Sequence, residues 1–466
     1  MYRESAIICA PVHQPGSAIT IIRVSGPGCI EVCDGIFLAR RRGRLIREKG
    51  FTLVYGDIVE GDRVIDEVLI SIFRAPHSYT GEEMVEIACH GSFFIQNAIV
   101  SLLIKNGVSP AGPGEFTKRA FVNGKLDLSQ AEAVADLIAA ESEALHRVAM
   151  AQLKGGFSNE ITAMRAELLN LVSLLELELD FGEEDVEFAD RKKLTDISRR
   201  IRDYAARLSI SYSYGNAIKR GIPVTIAGRP NTGKSTLLNG ILREERAIVS
   251  EIPGTTRDAI EDTFSIDGVL YRFIDTAGIR HTDDVVENLG IRKTTEKISM
   301  SSVVILMTDI NMTADEIRAE AERFREEILP SQATLIIVVN KIDLADPEVV
   351  GQIKAGLGDI AGSEAIFMSA NNAGDYENLR LALKANPEAA GIAGNAVLIT
   401  NARHFEAVSG VAEAMERVLS GIQSGVPSDL IALDVRQAIH FLGEITGEIT
   451  TDEILGNIFR NFCIGK

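Results

Sequence analysis

The chain has 466 residues, 46% of them hydrophobic, and a formal net charge of −18. That length and apolar content suffice for two to four packed domains, while so acidic a balance excludes a protein that grips nucleic acid mainly by neutralising phosphates and leaves room only for local or shared contacts. No apolar run approaches a membrane span, the first residues lack a signal-peptide core, and the cysteines (Cys9, Cys29, Cys33, Cys89 and Cys463) form neither zinc spacing nor a disulfide framework, so a reduced, cytoplasmic setting with no membrane is expected.

Residues 1–122 read as mixed α/β. Strands are predicted over Ala18–Val24, closed by the turn cluster Ser25–Gly28, and over Phe51–Val59, Asp66–Phe73 and Met84–Ala88. A helix is expected over 92–105, and Pro110, Gly112, Pro113 and Gly114 punctuate the chain before Glu115–Phe121. Cys29 and Cys33 read as residues of a helix face. The basic run Arg40, Arg41, Arg42 and Arg44, with Arg47 and Lys49 beyond, is either a solvated loop or a local nucleic-acid contact. No nucleophile–base pair declares itself here.

From Leu126 the period becomes helical. Ser129 with Glu132 reads as a capping box ahead of Val134, Leu137 and Ile138. After Gly155-Gly156 comes the stripe Ile161, Met164, Leu168, Val172, Leu175 and Leu179, ended by the acidic loop 182–185. A third helix carries Leu194, Ile197, Ile201, Tyr204 and Leu208. Stripes of this kind bury against one another, so a bundle is expected.

The segment 220–378 interrupts the helices. The apolar run Val224–Ala227 leads into Gly228-Arg229-Pro230-Asn231-Thr232-Gly233-Lys234-Ser235, and a helical pattern follows from Thr236. Strand, glycine-bounded loop, Lys-Ser and helix make a phosphate cradle: loop N–H groups meet anionic oxygens, Lys234 reaches the β- and γ-phosphates, and the Ser235 hydroxyl ligates Mg²⁺. Thr232, Gly233 and Thr236 belong to the same cradle. Asp275, Thr276, Ala277 and Gly278 end the run 271–274; Asp275 suits water-mediated Mg²⁺ binding and the Gly278 N–H suits sensing of the γ-phosphate. Asn340, Lys341 and Asp343 follow the run Thr334–Val339. A carboxylate at 343 can accept from N1–H and N2–H₂ of guanine, and with adenine it would be left buried and unpaired, which names the base. Ser369 and Ala370 fit a last base-contacting loop. In this order the four elements describe a GTPase.

Ile279 occupies the place where Ras-like enzymes carry a water-orienting Gln, and no arginine finger is evident. Asp283, Asp284 or Glu287 are candidates to orient water. The segment 248–258, with Ser250, Glu251, Ile252, Pro253, Gly254, Thr255 and Thr256, supplies carbonyl and hydroxyl oxygens, and Asn231 adds another. Such a niche would suit a monovalent cation in the place of a guanidinium; a slow switch awaiting an external activator is the alternative. Beyond 378 helices return, marked by His404, Ala407, Val411 and Met415, by Leu430–Leu442, and by Ile454–Phe459.

The wording of these motifs resembles the tRNA modification GTPase family called MnmE or TrmE. The likeness runs through Ile22–Gly26, Ser78–Glu83, His90-Gly91, Pro113–Phe121, Asn123–Ala133, Gly254–Asp258 and Phe462–Lys466, nearly the whole chain. The resemblance implies a multidomain α/β and α protein: an N-terminal α/β folate-binding and dimerisation domain (1–122), a central helical bundle in two halves (123–219 and 379–466), and an inserted Ras-like P-loop GTPase domain (220–378). It implies a homodimer that works with a flavin-dependent partner, MnmG (GidA), to add an aminomethyl-type group at C5 of the wobble uridine of certain tRNAs. By the same resemblance Arg23, Glu86, Lys125 and Lys466 contact a 5-formyl-tetrahydrofolate-like donor. K⁺ sits against Asn231, Ser250, Ile252 and Thr255, Mg²⁺ lies on Ser235 and Thr256, and Glu287 orients water. Cys463 reads as a buried helix residue or a catalytic thiol, and the final four residues fit prenylation poorly. The competing class is a ribosome- or RNA-associated GTPase switch without one-carbon chemistry. A folate-dependent methyltransferase with a regulatory GTPase is a third reading.

Overall fold

The computed structural model describes residues 6–12, 16–40, 43–180, 191–244, 262–274, 298, 300–329, 333–358, 365–387, 389, 398–460, 462 and 465. In chain order the elements are β1 (Ile8–Pro11), β2 (Ile19–Ser25), α1 (Cys29–Gly35), β3 (Phe37–Ala39), β4 (Thr52–Glu60), β5 (Arg63–Phe73), β6 (Met84–His90), α2 (Phe93–Lys105), β7 (Ser109–Pro110) and α3 (Glu115–Val122). Helices α4 (Leu128–Ile138), α5 (Glu143–Leu153), α6 (Gly156–Asp180) and α7 (Arg191–Arg220) follow, then β8 (Ile222–Ala227), α8 (Lys234–Glu244), β9 (Thr263–Ile266), β10 (Val269–Phe273), β11 (Val303–Asp309), α9 (Ala314–Ile328) and β12 (Thr334–Asn340). The chain closes with α10 (Pro347–Leu357), β13 (Ile366–Phe367), α11 (Tyr376–Lys384), α12 (Ala402–Gln423), α13 (Ser428–Thr446) and α14 (Asp452–Arg460). Two compact units result, one from Met1–Ala135, Gln152–Asn170 and Ile439–Lys466, the other from Asp136–Ala151 and Leu171–Ala438. Among the described residues no helix is long and apolar enough to cross a membrane.

The first unit holds a seven-stranded sheet in the order β3-β4-β5-β6-β2-β1-β7. Its neighbours are antiparallel except for β1 and β7. Alternation sets its faces: along β5, Val68, Ile70 and Ile72 are buried while Glu67 and Leu69 are exposed. The buried face packs on Ile30 and Cys33 of α1 and on Ile99 and Leu103 of α2. Burial of such side chains stabilises by about 1.5–3 kcal/mol each. It also pushes the Cys9 thiol up to about 11 and the Cys89 thiol up to about 12, so both behave as small apolar groups. Cys29 and Cys33 lie buried on α1, and burial raises both thiols further.

Helix α4 is capped two residues earlier than expected. Asp127 Oδ1 accepts from the Gln130 N–H at 2.8 Å and Gln130 Oε1 accepts from the Asp127 N–H at 2.9 Å. The reciprocal pair is therefore Asp127 and Gln130, and Ser129, already inside the helix, donates instead to Asp127 Oδ1. Leu128 and Ala131 then pack with Leu455, Phe459 and Phe462.

The second unit is built on a six-stranded sheet in the order β13-β12-β11-β8-β10-β9. All of its pairs are parallel except β9–β10, a hairpin turning at Asp267 and Gly268, both with positive φ. Strands β11 and β12 are nearly continuous apolar runs because both faces are covered. Ile305, Met307, Ile336 and Val338 face Leu237, Leu238 and Leu379. Val304, Leu306, Ile337 and Val339 face Ile317, Phe324 and Leu357. Helix α7 buries the stripe Leu194, Ile201, Ala205 and Leu208 and stacks Tyr212 on Phe405 of α12, with ring centroids 4.6 Å apart.

Candidate functional site

The nucleotide loop leaves the sheet at Gly228, where β8 runs beside β11. Gly228 has φ +136°, and a Cβ there would stand 2.1 Å from the Met307 carbonyl oxygen, so only glycine fits. Gly233 has φ +100°, and its Cβ would meet Asn340 Nδ2 at 2.2 Å. Asn231, at φ +64°, is also left-handed. Left-handed residues set among others curve successive N–H groups into a concavity that suits an anion. Lys234 opens α8, and its Nζ donates to the carbonyls of Gly228 at 2.8 Å and Arg229 at 2.7 Å. Burial lowers its pKa, against a smaller opposing pull from Glu320. Thr232 is buried and its hydroxyl donates to the Arg229 carbonyl at 2.9 Å, while Arg229 itself pairs with Glu320 of α9 at 3.0 Å. Ser235 and Thr236 lie in the first turn of α8, where a hydroxyl can serve a phosphate-bound cation.

Asn340, the last residue of β12, joins this loop to the base side. Its Nδ2 donates to the Thr232 carbonyl at 2.7 Å and its Oδ1 accepts from the Ala370 N–H at 2.9 Å, in a residue only 2% exposed. The Ala370 carbonyl accepts from the Tyr376 hydroxyl at 2.8 Å, and the Ser369 N–H donates to Asp375 at 2.7 Å. Lys341, held at φ +66°, pairs with Asp309 at the end of β11 at 2.6 Å. Burial alone would raise the Asp309 pKa, but the hydrogen bonds and charge from Lys341 and the bonds from Asn311 outweigh it and hold the carboxyl below its ordinary value. Asp343 lies on a single 3₁₀ turn, Ile342–Leu344, just beyond the strand, with its side chain exposed.

In the first unit Arg23 of β2 and Glu86 of β6 are directly opposed in the sheet. Arg23 Nε and Nη2 donate to Glu86 Oε1 at 3.0 and 2.8 Å, and Nη1 donates to the Gly465 carbonyl at 3.2 Å. The guanidinium carbon lies 5.3 Å from the Tyr79 ring centroid and 5.5 Å from that of Phe116. The Tyr79 hydroxyl is hydrogen-bonded to Thr117 at 2.8 Å, and burial raises its pKa, which keeps it neutral. Lys125 is exposed and donates to the Pro76 carbonyl at 3.2 Å, on the same 74–83 loop that carries Tyr79. A cation with a fixed carboxylate and aromatic flanks suits a flat heterocycle bearing carboxylates. Arg40 and Arg44, singled out as a basic run, are engaged by acids: Arg40 by Asp57 and Glu67, Arg44 by Asp34. That pairing favours the solvated-loop reading of these two residues.

A family model described as the MnmE helical domain matches residues 128–463, and one described as the GTP-binding protein TrmE N-terminus matches residues 6–125. The chain belongs to the MnmE family of tRNA modification GTPases. Across 476 aligned residues it is 48% identical to a Christiangramia forsetii protein named tRNA modification GTPase MnmE, covering 100% of both chains. A Bacteroides thetaiotaomicron protein of that name is 48% identical over 464 residues, covering 98% of this chain and 99% of the relative. One from Flavobacterium psychrophilum is 46% identical over 469 residues and covers 100% of both. Membership makes the chain a GTPase, with GTP and Mg²⁺ as its ordinary ligands.

The structure thus brings together Thr232, Gly233, Asn340 and Ala370 in the second unit, and Arg23 with Glu86 in the first. Glu287, Ser250, Glu251, Ile252, Pro253, Gly254, Thr255, Thr256, Asp275, Thr276, Ala277, Gly278, Cys463 and Lys466 lie outside the described residues. Sequence reasoning gave no role to Asp309, Asp375 and Tyr376, which sit in no motif of their own, nor to Tyr79 and Phe116, which lie within the stretches Ser78–Glu83 and Pro113–Phe121 and which only folding places beside Arg23.

Proposed function

We propose that the chain is a K⁺-activated, dimerisation-dependent GTP hydrolase of tRNA wobble-uridine modification. It acts in the cytoplasm with a flavin-dependent partner of the MnmG type and a reduced folate such as 5-formyl-tetrahydrofolate. In this reading the folate domain spans 1–122, the GTPase domain 220–378, and the helical domain 123–219 with 379–466. The observation that carries it is the Arg23–Glu86 pair flanked by Tyr79 and Phe116 in a unit other than the one holding the nucleotide loop. A GTPase switch without one-carbon chemistry has no use for such a cluster. Arg23 and Lys125 would meet the folate carboxylates and the polar edge of its pterin, with Lys466 and Glu86 completing the set; the folate supplies a carbon unit at the oxidation level of formaldehyde or formate.

On the GTPase side, Lys234 exchanges its loop carbonyls for phosphate oxygens, and Ser235 with Thr256 would hold Mg²⁺. Asn231, Ser250, Ile252 and Thr255 would hold K⁺, which supplies the positive charge an arginine finger provides elsewhere. Glu287 is the residue that would orient water. The test is GTP turnover in K⁺ and in Na⁺ at matched ionic strength, for the native protein and Asn231→Ala. A K⁺ advantage of tenfold or more that Asn231→Ala abolishes is expected. Equal slow turnover in both salts returns the protein to a switch awaiting an outside activator.

A further inference from the structure

Arg23 does more than meet Glu86: its third hydrogen bond runs to a backbone carbonyl 442 positions away, that of Gly465. Gly465 has φ +95°, and a Cβ on it would stand 2.6 Å from the Pro11 carbonyl oxygen and 3.2 Å from Val12 Cα. It therefore lies against the end of β1 in a conformation and a space that admit only glycine. Phe462, three residues earlier, is 8% exposed and packs with Leu128, Leu455 and Phe459. A second glycine makes room for it: Gly114, at φ +64°, would place a Cβ 2.9 Å from Phe462 Cβ. The same segment is thus admitted at two points by residues without side chains, and tied at one of them to the guanidinium. Of the five N–H donors on an arginine, three are engaged here by described residues, and among those residues the other two meet no acceptor.

We propose that Gly465 is a positioning residue for the reduced-folate site, acting through Arg23. By accepting from Nη1 it adds a third anchor to a guanidinium that Glu86 already holds through Nε and Nη2, and so keeps the group in one orientation. The inference rests on the folate reading given above and names a residue for that site whose side chain contributes nothing.

The test is a double-mutant cycle on the full-length protein, with the affinity for 5-formyl-tetrahydrofolate read by calorimetry. Gly465→Ala and Arg23→Ala should each weaken binding by about tenfold to a hundredfold, and the double variant should be no weaker than the worse single one, because both remove the same link. Since the chain has no tryptophan, Phe462→Trp adds a single emitter, and its emission should shift to the red in both Arg23→Ala and Gly465→Ala. Folate binding by Gly465→Ala within twofold of the native protein, or losses that multiply in the double variant, overturns the proposal. A native protein that fails to bind the folate at all overturns the folate reading instead, and is told apart by the first titration.

Discussion

Replacing Asn340 by alanine should loosen both halves of the nucleotide site at once. One side-chain amide serves the Thr232 carbonyl at 2.7 Å and the Ala370 N–H at 2.9 Å, and the residue is 2% exposed. Alanine strands a carbonyl and an N–H where water has little access. Each buried polar group left without a partner costs about 1–3 kcal/mol, and local relaxation recovers part of that, so a loss of about 2–4 kcal/mol is expected. At a factor of ten per 1.4 kcal/mol this corresponds to about 30-fold to about 700-fold in affinity, if the loss falls on the bound state. GTP and GDP should suffer alike, because the broken contacts hold the loop and the base side rather than the γ-phosphate. Equilibrium titration with fluorescent analogues of both nucleotides, alongside a thermal scan, separates lost affinity from lost stability. Asn340→Asp retains an acceptor for Ala370 but sets a carboxylate against the Thr232 carbonyl, and should bind no better than the alanine variant. Affinities within threefold of native for both nucleotides, at an unchanged Tm, would refute the reasoning.

Gly228→Ala should cost about 3 kcal/mol or more and abolish GTP binding, since neither the Met307 carbonyl 2.1 Å from the new Cβ nor φ +136° can give way cheaply; calorimetry and filter binding check this, and a native Tm with full affinity counts against it. Asp343→Asn should lose GTP by at least a hundredfold and gain xanthosine triphosphate, whose C2 carbonyl offers an acceptor where guanine has an amine; competition binding reads the swap. The depressed pKa of Asp309 contributes stability that is present above the ordinary carboxylate range and lost as pH falls through the lowered value. The Tm gap between native protein and Lys341→Ala should therefore be largest near neutrality and shrink as pH falls below the ordinary carboxylate range, and a gap that stays flat through that fall would remove the ion pair from the account.

Local period carried much of the fold. Strands β2, β4, β5 and β6 and helix α2 lie close to where alternation and apolar spacing put them, because each is long enough to repeat its pattern. Strands β1, β3, β7 and β9, of 4, 3, 2 and 4 residues, are too short to show a period. For β9 a cue was present in Asp267-Gly268, whose left-handed φ values make the hairpin turn. The cap of α4 was displaced because Ser129-x-x-Glu132 and Asp127-x-x-Gln130 offer overlapping boxes, and only the hydrogen bonds choose between them.

By itself the sequence determined that a strand, a glycine-bounded loop and a Lys-Ser pair stand in line, since that arrangement lies within a dozen consecutive residues and local geometry suffices to build it. It likewise determined that an Asn-Lys-x-Asp element ends a buried strand. Tertiary structure alone decided that Asn340 ties Thr232 to Ala370, that Asp343 is exposed, that Arg40 and Arg44 are occupied by carboxylates, and that Arg23 holds Gly465. Those facts depend on which strands lie side by side and on which distant backbone comes within hydrogen-bond reach of a donor. A period of two or 3.6 residues places a side chain on a face, but the partner it meets there is set by the packing of the whole unit.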